Sequence, residues 1–470
     1  MRKSLSDLPE LRRAALEIFR AALASVDAGA AVRRAVRLDG PRLFIGDEAI
    51  DLSASANSIY AIAIGKAALP MAMALDEILG ERLTAGLLTA SPYENAHEAA
   101  AIAPSFMQRW RAEAGGHPLP NEASLRAASH ALSLLRRADE ECALVIFLIS
   151  GGGSAMLEWP RNERAPLEDL REANRLLVAC GASINEINSV RRAFSAVKGG
   201  QLASHAPRAQ QVTLIVSDTG PNDEATVASG PTLAPPQDAP DALEVIARYN
   251  LRARLPASIL AAIETQEDAQ APARATTALR LHYTLLDNRR AVEAAAEAAR
   301  ERGFIVETAP DIIEQPIAEG CAELLRRLRA LHSRLGQSGE TNLERAVCLV
   351  SGGEFACPLR GAGVGGRNAE TVLRWAIELD SWTRRQKGEA DALAHTVALS
   401  AGTDGIDGNS PAAGALADEE TIRRSLACGM DAGAFLAASD AYTFFDALGD
   451  AILTGRTGTN VRDLRLLLAR

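Results

Sequence analysis

The sequence predicts an α/β protein of two domains, with layers of helices on largely parallel strands. Strand-like apolar runs alternate with amphipathic helical stretches along the chain, and this pattern is typical of parallel sheets covered by helices. The 470 residues also exceed what one hydrophobic core usually organises, so two domains of about 200 residues are expected.

The first half of the chain supplies four predicted strands. They are the apolar runs SIYAIAIG, AGLLTA, CALVIFLIS and QVTLIVSD. Amphipathic helices are predicted between them, at 121–138 and 167–180. Alternation of this kind favours a parallel sheet.

A change in composition marks the predicted domain boundary. Proline- and alanine-rich segments occur at 230–242 and 265–278, and such segments are typical of connections between domains. The second half restarts with the strand-like run HYTLLD and a helix from Asn288, and it ends in the apolar run RLLLA. We therefore predict a first domain at 1–240, a linker or hinge at 241–280 and a second domain at 281–470.

Composition and charge exclude several classes of function. The net charge of −10 argues against a general surface for nucleic acid or anionic membranes. No apolar run reaches the roughly 20 residues of a membrane span, and the N-terminal stretch lacks a signal-peptide core. The six cysteines show no metal-binding spacing and are typical of reduced core residues. We expect a cytoplasmic protein that binds a small molecule.

Lysine is scarce in this chain, and most of the lysines stand beside glycine. Only four of the 50 lysines and arginines are lysines, and of the three that adjoin glycine Lys66 and Lys198 are the candidates. A retained lysine is a candidate for a site that needs a compact ammonium group, which a planar guanidinium replaces badly. A neighbouring glycine lets backbone and ammonium approach an anion together. The alternative for each position is chance.

Two glycine-rich segments are candidate phosphate-binding loops. The first, at the end of an apolar strand, consists of Ser150, Gly151, Gly152, Gly153 and Ser154. The second consists of Lys198, Gly199 and Gly200. Glycines at the carboxyl end of a parallel strand can turn N–H groups toward a ligand. The alternatives are a tight strand-to-helix turn for the first segment and a helix C-cap with a surface lysine for the second.

Residues 361–366 satisfy the pattern G-x-G-x-x-G, but they indicate dinucleotide binding only weakly. The pattern lies late in the chain, without the expected first strand–turn–helix unit, and no Walker A pattern occurs anywhere. Arg367 directly follows the glycines. An anion-binding loop with Gly365, Gly366 and Asn368 is the favoured interpretation.

Carboxylates stand at the ends of several predicted strands. They are Asp218 and Asp223 in the first half, and Glu354, Asp404 and Asp407 in the second. A strand-end aspartate can bind magnesium or act as a base, and the alternative is that it caps a turn. His117, in GHPLPNEAS, is expected to cap the following helix. The other six histidines show no triad or zinc-site pairing, which excludes those chemistries.

From about Tyr60 to Leu468 the chain resembles the glycerate 2-kinases, a family also labelled hydroxypyruvate reductase, with a C-terminal MOFRL-type domain. The resemblance rests on motifs that occur in the family's order. They are AIGKAA, GHPLPNEAS, SGGGSAML, INSVRRAFSAVKGGQLA, SDT with ASGPT, SGGE, GAGVGGRNAE, AGTDGIDG with AAGA, AYTFFDALGD and TGRTGTNVRDL.

The resemblance implies a Rossmann-like, doubly wound parallel sheet in the first domain and a MOFRL-type α/β domain with a mixed sheet in the second. It places the active site in the cleft between the domains. It also implies transfer of the γ-phosphoryl group of ATP to the carbon-2 hydroxyl of D-glycerate with Mg²⁺. Lys66 and Arg367 match the family's catalytic cations, and a homodimer is left open.

Phosphoryl transfer depends mainly on positioning and charge neutralisation, so roles follow for the candidate residues. We expect Lys66 and Arg367 to neutralise the substrate carboxylate and the transferring phosphoryl group. Lys198 and the 151–154 loop are expected to hold the ATP phosphates. Asp218 is expected to bind magnesium or accept the hydroxyl proton, with Asp223 as a further metal ligand. The loops that carry Glu354, Gly365, Gly366, Asn368, Asp404 and Asp407 are expected to contact the substrate.

The sequence departs from the family pattern at several polar positions. Asn121 and Pro411 stand where the family has acidic residues. Shortly after Asp218 the family usually has Gly-Asp-Asp, whereas this chain has Pro221, Asn222 and Asp223. Val364 and Ala369 replace an expected arginine and glutamine.

Two other functions remain open at this point. A nicotinamide-dependent hydroxypyruvate reductase has the family label and the glycine pattern in its favour, but it lacks an evident histidine proton donor. A non-catalytic binder of nucleotides or sugar acids is suggested by the lost acidic residues.

Overall fold

Two six-stranded sheets, each with its own helices and core, organise the chain. The structure is a computed structural model that describes residues 8–52, 58–90, 103–220, 223–265, 278–336, 346–385 and 395–470. One unit is formed by Ala28–Leu286 and is called the parallel unit. The other combines Met1–Asp27 with Asp287–Arg470 and is called the mixed unit. This architecture confirms the predicted α/β fold class with a parallel and a mixed sheet.

The described helices and strands follow one another along the chain. The helices that begin before residue 287 are α1 (Leu8–Ser25), α2 (Ala28–Ala35), α3 (Ala68–Leu79), α4 (Pro104–Arg109), α5 (Glu122–Glu140), α6 (Gly153–Met156), α7 (Leu167–Ala179), α8 (Ile184–Phe194), α9 (Gln201–Ser204), α10 (Ala242–Arg248) and α11 (Ala257–Glu264). The strands are β1 (Val36–Asp39), β2 (Arg42–Ile45), β3 (Glu48–Asp51), β4 (Ile59–Ile64), β5 (Leu83–Ala90), β6 (Trp110–Ala114), β7 (Leu144–Ser150), β8 (Gln210–Val216) and β9 (Arg280–Leu286). Short 3₁₀ helices lie at Gly80–Arg82 and Glu224–Ser229.

The main sheet of the parallel unit has six parallel strands in the order β6-β5-β4-β7-β8-β9. In chain order this is 3-2-1-4-5-6, the doubly wound order of dinucleotide-binding domains. The order reverses between β4 and β7, whose residues are all buried. Ligands of such sheets bind beyond the carboxyl ends of the strands at this switch point. The topology therefore predicts a ligand site beside the residues that follow β4 and β7.

Local sequence signals explain where the helices around this sheet begin. The Asn121 side chain accepts the Ser124 N–H at 2.9 Å, and the Ser124 hydroxyl accepts the Asn121 N–H at 3.1 Å. Ser183 and Glu186 form the same reciprocal cap at the start of α8.

A second core in this unit joins α7, α8, α10 and α11 through buried aliphatic residues such as Leu177, Val190 and Ile259.

The mixed unit is built on a second six-stranded sheet, in the order β10-β11-β15-β12-β13-β14. Its strands are β10 (Ile305–Thr308), β11 (Val347–Gly353), β12 (Thr396–Gly402), β13 (Gly414–Asp418), β14 (Ala451–Ile452) and β15 (Asp463–Ala469). Its helices, besides α1, are α12 (Asn288–Glu301), α13 (Ile317–Gly336), α14 (Arg367–Arg385), α15 (Thr421–Ala427), α16 (Ala432–Ala437) and α17 (Ala441–Leu448). Strands β10 and β11 are parallel, whereas β15 runs antiparallel to both of its neighbours.

Helices cover both faces of the mixed sheet. On one face α13 and α14 pack against residues such as Leu349 and Leu467. On the other face α1 and α12 pack against neighbouring residues of the same strands, such as Val350 and Leu466. Alternate residues of a strand point to opposite faces, so the apolar runs of β11 and β15 fill both cores. Arg12 of α1 is further held by ion pairs with Asp418 and Asp450.

The observed units correct the predicted domain boundaries of 1–240, 241–280 and 281–470. Residues 8–25 belong to the mixed unit, because the apolar side of α1 is buried there. The predicted linker belongs to the parallel unit, since Val245 and Ile246 of α10 and Ile259 of α11 are buried in its second core. Residues 266–277 of that linker lie outside the described residues.

Two expectations about the chain as a whole can be compared with the structure. Within the described ranges, no helix is long and apolar enough to cross a membrane. The six cysteines form no disulfide; Cys321 and Cys348 are buried as expected, whereas Cys142 and Cys428 are exposed.

Candidate functional site

Lys66 and the glycine-rich loop after β7 come together at the switch point of the parallel sheet. The Lys66 N–H donates to the Gly151 carbonyl at 2.9 Å, and the Ala67 N–H donates to the Ser150 hydroxyl at 3.0 Å. The Lys66 side chain lies over Gly152: a Cβ on that glycine would stand 3.2 Å from Lys66 Cγ and 3.4 Å from Cε. The predicted lysine and the predicted loop thus share one crevice.

The backbone of this loop requires glycine and leaves donors for a ligand. Gly152 has a left-handed φ of 78°, and a Cβ on Gly153 would come within 2.7 Å of Ile64. The Gly152 and Gly153 N–H groups donate to no other described residue. Ser150 has a different role from the predicted one, because its buried hydroxyl donates to the Ile64 carbonyl and joins β7 to β4.

His117 lies beside the same loop, contrary to its predicted role as a helix cap. Asn121 caps α5, whereas the exposed His117 ring reaches 3.5 Å from the position that a Gly152 Cβ would occupy. Sequence reasoning missed this residue because a single histidine in a turn carries no pairing signal. The GHPLPNEAS motif was the available clue.

A hydroxyl network extends from the glycine-rich loop to α8. The Ser154 hydroxyl lies 2.7 Å from that of Ser229, which donates to the Asn188 side-chain oxygen at 2.9 Å. Ser229 follows Ala228, and both have left-handed φ angles, of 64° and 52°. Non-glycine residues in this conformation are strained and concentrate at functional sites.

Asp218 lies two residues beyond Val216, at the end of β8. Because Val216 pairs with Ser150 of β7, Asp218 follows the strand next to the one that leads into the glycine-rich loop. It is half-buried, and Asp223 lies in the same loop. The Asp223 carbonyl accepts the Thr219 and Thr226 hydroxyls, which order this loop. Among the described residues, no group of three or more His, Cys, Asp or Glu side chains is placed to hold a metal ion by itself.

Lys198 forms a buried ion pair, in contrast to the predicted role of binding the ATP phosphates. Its side chain is 1% exposed, and its ammonium donates to Glu158 at 2.5 Å. Glu158 also accepts the Ser195 hydroxyl at 2.6 Å. Burial lowers the pKa of Lys198, and the Glu158 carboxylate opposes that effect. The retained lysine therefore serves a buried ion pair.

The glycines after Lys198 are also used within the fold. The Gly199 N–H donates to the Ser229 carbonyl at 3.1 Å and the Gly200 N–H to the Gly230 carbonyl at 2.7 Å. Both glycines have left-handed φ angles, of 61° and 81°. This segment supports the Ser229 loop and offers those two amides to no ligand.

In the mixed unit, Arg367 begins α14 and is held by two carboxylates. Its guanidinium forms a two-pronged contact with Asp463, at 2.6 and 3.0 Å, and a further contact with Glu354 at 2.8 Å. Burial alone would lower the pKa of Arg367, but the Asp463 and Glu354 charges raise it above its ordinary value. These contacts use three of the five guanidinium N–H groups. The side chain is 30% exposed, so its orientation is fixed while access remains.

Asp407 and Asn368 have structural roles in place of the predicted substrate contacts. The buried Asp407 carboxylate accepts the Asn368 and Ala369 N–H groups at 2.9 and 2.8 Å and so caps α14. The Asn368 side chain donates to Asp463 at 2.9 Å and accepts the Ser400 hydroxyl at 2.6 Å. Asp404 lies near them, with its carboxylate accepting the Ile406 N–H at 3.2 Å.

The glycines at 361–366 pack closely against other segments, in contrast to the predicted anion-binding loop. Three amides of this segment have partners within the fold: Gly363 donates to Ala438, Val364 to Asp440 and Gly365 to Asn409. The glycines permit close approach. A Cβ on Gly366, for example, would stand 2.3 Å from the Asp407 carboxylate.

Burial of Asp407 predicts a pH-dependent stability. Burial raises the pKa of Asp407 to about 6, although the Ala369 and Asn368 amides favour its charged form. An unfolded aspartate titrates near 3.9, so between about pH 4 and pH 6 the folded state retains a proton that the unfolded state has lost. This contribution to stability is complete below about pH 4 and is lost as the pH rises through 6.

We expect the free energy of unfolding of the wild type to fall relative to that of Asp407→Asn as the pH rises from about 4 to 6, because asparagine cannot titrate. Urea denaturation of both proteins across this range measures the difference. Asp241→Asn, at the N-cap of α10, is a matched control for loss of a helix-capping carboxylate. Parallel pH profiles for the wild type and Asp407→Asn would contradict the assignment.

The structure accounts for part of the departure from the family pattern. Asn121 caps α5, and asparagine serves as an N-cap as well as aspartate does. Ala369, in α14, is buried, which suits a small apolar side chain. Pro411 is exposed, and nothing in the structure explains this substitution. Asn222 lies outside the described residues.

The parallel unit defines a class of protein: a doubly wound α/β domain with a lysine at its switch point and glycine amides that donate to no other described residue. Comparison with known proteins gives the family. Residues 14–264 match the family described as a domain of unknown function, DUF4147, and residues 347–463 match the MOFRL family. The chain is 35% identical to a glycerate kinase of Homo sapiens, over 98% of this chain and 93% of that protein. It belongs to the glycerate kinase family.

Further relatives cover the chain to a similar extent. A D-glycerate 2-kinase of Thermotoga maritima is 30% identical over 97% of this chain and 98% of that protein. Among solved structures, a glycerate kinase from Thermotoga maritima has a TM-score of 0.76 at 28% identity, and it covers 98% of this chain and 100% of its own. A protein from Pyrococcus horikoshii has a TM-score of 0.71 at 29% identity, over 97% and 98%.

Proposed function

We propose that this protein transfers the γ-phosphoryl group of ATP to the carbon-2 hydroxyl of D-glycerate. The observation that carries the proposal is the crevice at the β4/β7 switch point, where Lys66 lies over a loop whose Gly152 and Gly153 amides donate to no other described residue. The relatives named glycerate kinase and D-glycerate 2-kinase support the choice of acceptor.

In this proposal the glycine-rich loop and Lys66 bind phosphate oxygens. Backbone N–H groups at the carboxyl end of β7 point toward a ligand in the switch-point crevice, and the lysine supplies a point charge. Phosphoryl transfer needs such charge neutralisation more than covalent chemistry. Arg367 is assigned the second cation, and its pairing with Asp463 orients the guanidinium before substrate arrives.

Asp218 is the proposed acceptor of the hydroxyl proton or ligand of Mg²⁺, with Asp223 as the second carboxylate. Magnesium is commonly bound through one or two carboxylates together with substrate phosphates. Two aspartates in the loop after β8 fit a metal that arrives with ATP. When bound, the metal would neutralise charge on the β- and γ-phosphates.

The relatives named glycerate kinase support a small-molecule substrate. A cytoplasmic location is proposed from the sequence. A homodimer is a further expectation, and size-exclusion chromatography with light scattering would test it.

The test is to incubate purified protein with ATP, MgCl₂ and D-glycerate and to identify the phosphorylated product by NMR. The expected product is 2-phosphoglycerate, formed with release of ADP, and activity is expected to require the metal. A product phosphorylated on carbon 3 would refute the assigned position. Other small 2-hydroxy acids, offered in parallel, would establish the acceptor preference.

The same preparation distinguishes the two alternative functions. Oxidation of NADH with hydroxypyruvate, measured by absorbance, would support a reductase. Binding of ATP or D-glycerate without turnover in either assay would support a non-catalytic binder. The packing role of the 361–366 glycines removes the sequence pattern that favoured nicotinamide binding.

A further inference from the structure

Helix α8 carries a buried arginine that has no counter-ion among the described residues. Arg192 is 8% exposed, and one of its terminal nitrogens donates to the Ser189 hydroxyl at 2.8 Å. The other, Nη1, is buried and has no hydrogen-bond partner in the described structure. A buried guanidinium normally requires a carboxylate, as Arg367 has in Asp463. The Arg192 site therefore has room in its charge balance for an anion that none of the described residues supplies.

The position of Arg192 connects it to the glycine-rich loop. Its aliphatic stem lies on Gly199, where a Cβ would stand 2.7 Å from Arg192 Cδ. Gly199 in turn donates to the carbonyl of Ser229, whose hydroxyl bonds to Ser154. Asn188, which accepts the Ser229 hydroxyl, lies one helical turn before Arg192 and on the same side of α8. Contacts thus run without a break from Arg192 to the loop that follows β7.

No charge of a described residue offsets the burial of Arg192. The buried carboxylate Glu158 instead acts on two other cations, Arg191 and Lys198. Burial lowers the pKa of Arg192, with no opposing charge to offset that effect.

We propose that Arg192, with Ser154 and Ser229, forms a subsite for a phosphate group of the nucleotide that remains in ADP. A guanidinium presents a planar fork that matches a phosphate. The Ser154 and Ser229 hydroxyls, connected to Arg192 through Asn188 and Gly199, would supply further donors. The proposal rests on the proposed kinase function and adds to it a binding residue on α8. A bound phosphate would supply the missing partner of Nη1.

The test is calorimetric titration of wild type, Arg192→Gln and Arg192→Lys with ADP. The glutamine variant should raise the Kd for ADP by about 10- to 100-fold, and lysine should restore part of the loss. The KM for ATP should rise similarly, whereas the KM for D-glycerate should stay unchanged. Arg191→Gln is the matched control, because Arg191 is its neighbour on α8 and bonds to Asn174 at 2.8 Å.

Thermal unfolding without nucleotide separates this role from a structural one. Removing an uncompensated buried charge should leave the Tm of the free protein unchanged or raise it, while the increase in Tm on adding ADP shrinks. A lowered Tm of Arg192→Gln with unchanged ADP affinity would overturn the proposal. A rise in the KM for D-glycerate alone would also overturn it. Because ADP binding needs no turnover, failure of the kinase reaction gives a different result from failure of this subsite.

Discussion

Replacing Lys66 by arginine is expected to lower kcat/KM for phosphorylation of D-glycerate by about a hundredfold or more, although the charge is kept. The Lys66 stem lies so close to Gly152 that a single added carbon would stand 3.2 Å away. A planar guanidinium is wider than an ammonium group and cannot take the same path over the loop. Steady-state kinetics with ATP and D-glycerate measure the loss.

Two controls define the meaning of that result. Lys66→Met removes the charge and should lose at least as much activity as the arginine variant. Lys387→Arg repeats the chemical change at a lysine outside the described residues and should keep full activity. Turnover of Lys66→Arg at the wild-type rate would refute the need for an ammonium group at this position.

Replacing Lys198 by methionine is expected to lower the free energy of unfolding by about 3–5 kcal/mol, because Glu158 would remain as a buried charge without its counter-ion. Both side chains are almost inaccessible to solvent, so water cannot take the place of the lost partner. Chemical denaturation of the variant and the wild type measures the change.

A double-mutant cycle tests whether the pair is the cause. Adding Glu158→Gln to Lys198→Met removes the unpaired charge and should recover much of the lost stability. Direct binding of phosphate by Lys198 predicts the reverse: near wild-type stability for Lys198→Met and a strongly weakened affinity for ADP. The two roles therefore give opposite results in the same pair of measurements.

The sequence contained most of the fold but not the membership of each unit. The apolar runs that became β4, β7 and β8 are continuous, and their order with the intervening helices indicated a parallel sheet. The partner of α1 could not be predicted, because an amphipathic helix shows that it has a buried side without showing which core covers it. The prediction of a linker differs from the structure for a related reason: the alanine- and proline-rich composition of this segment gave no sign that residues of α10 and α11 are buried in a core.

The candidate site was predictable where its signal was local. Lys66 and the 151–154 loop each end a strand, and the parallel sheet brings neighbouring strand ends together. Lys198 carried the same local signal, but its partner Glu158 lies 40 positions earlier in the chain. Three of the amides at 361–366 donate to Asn409, Ala438 and Asp440, which no short motif could reveal. Arg192 gave no signal because arginine is common here.

The connection of the two units also governs how the protein can be divided by genetic engineering. The chain enters the parallel unit after Asp27 and leaves it at Leu286, so one unit is inserted into the other. A gene cut near its midpoint would produce a downstream fragment without α1, and the apolar face that includes Val350, Leu399 and Leu466 would lose the part of its cover that α1 supplies. Such a fragment would be prone to aggregate. Chimaeras between relatives should instead exchange Ala28–Leu286 as one cassette, which leaves each core with all of its own segments.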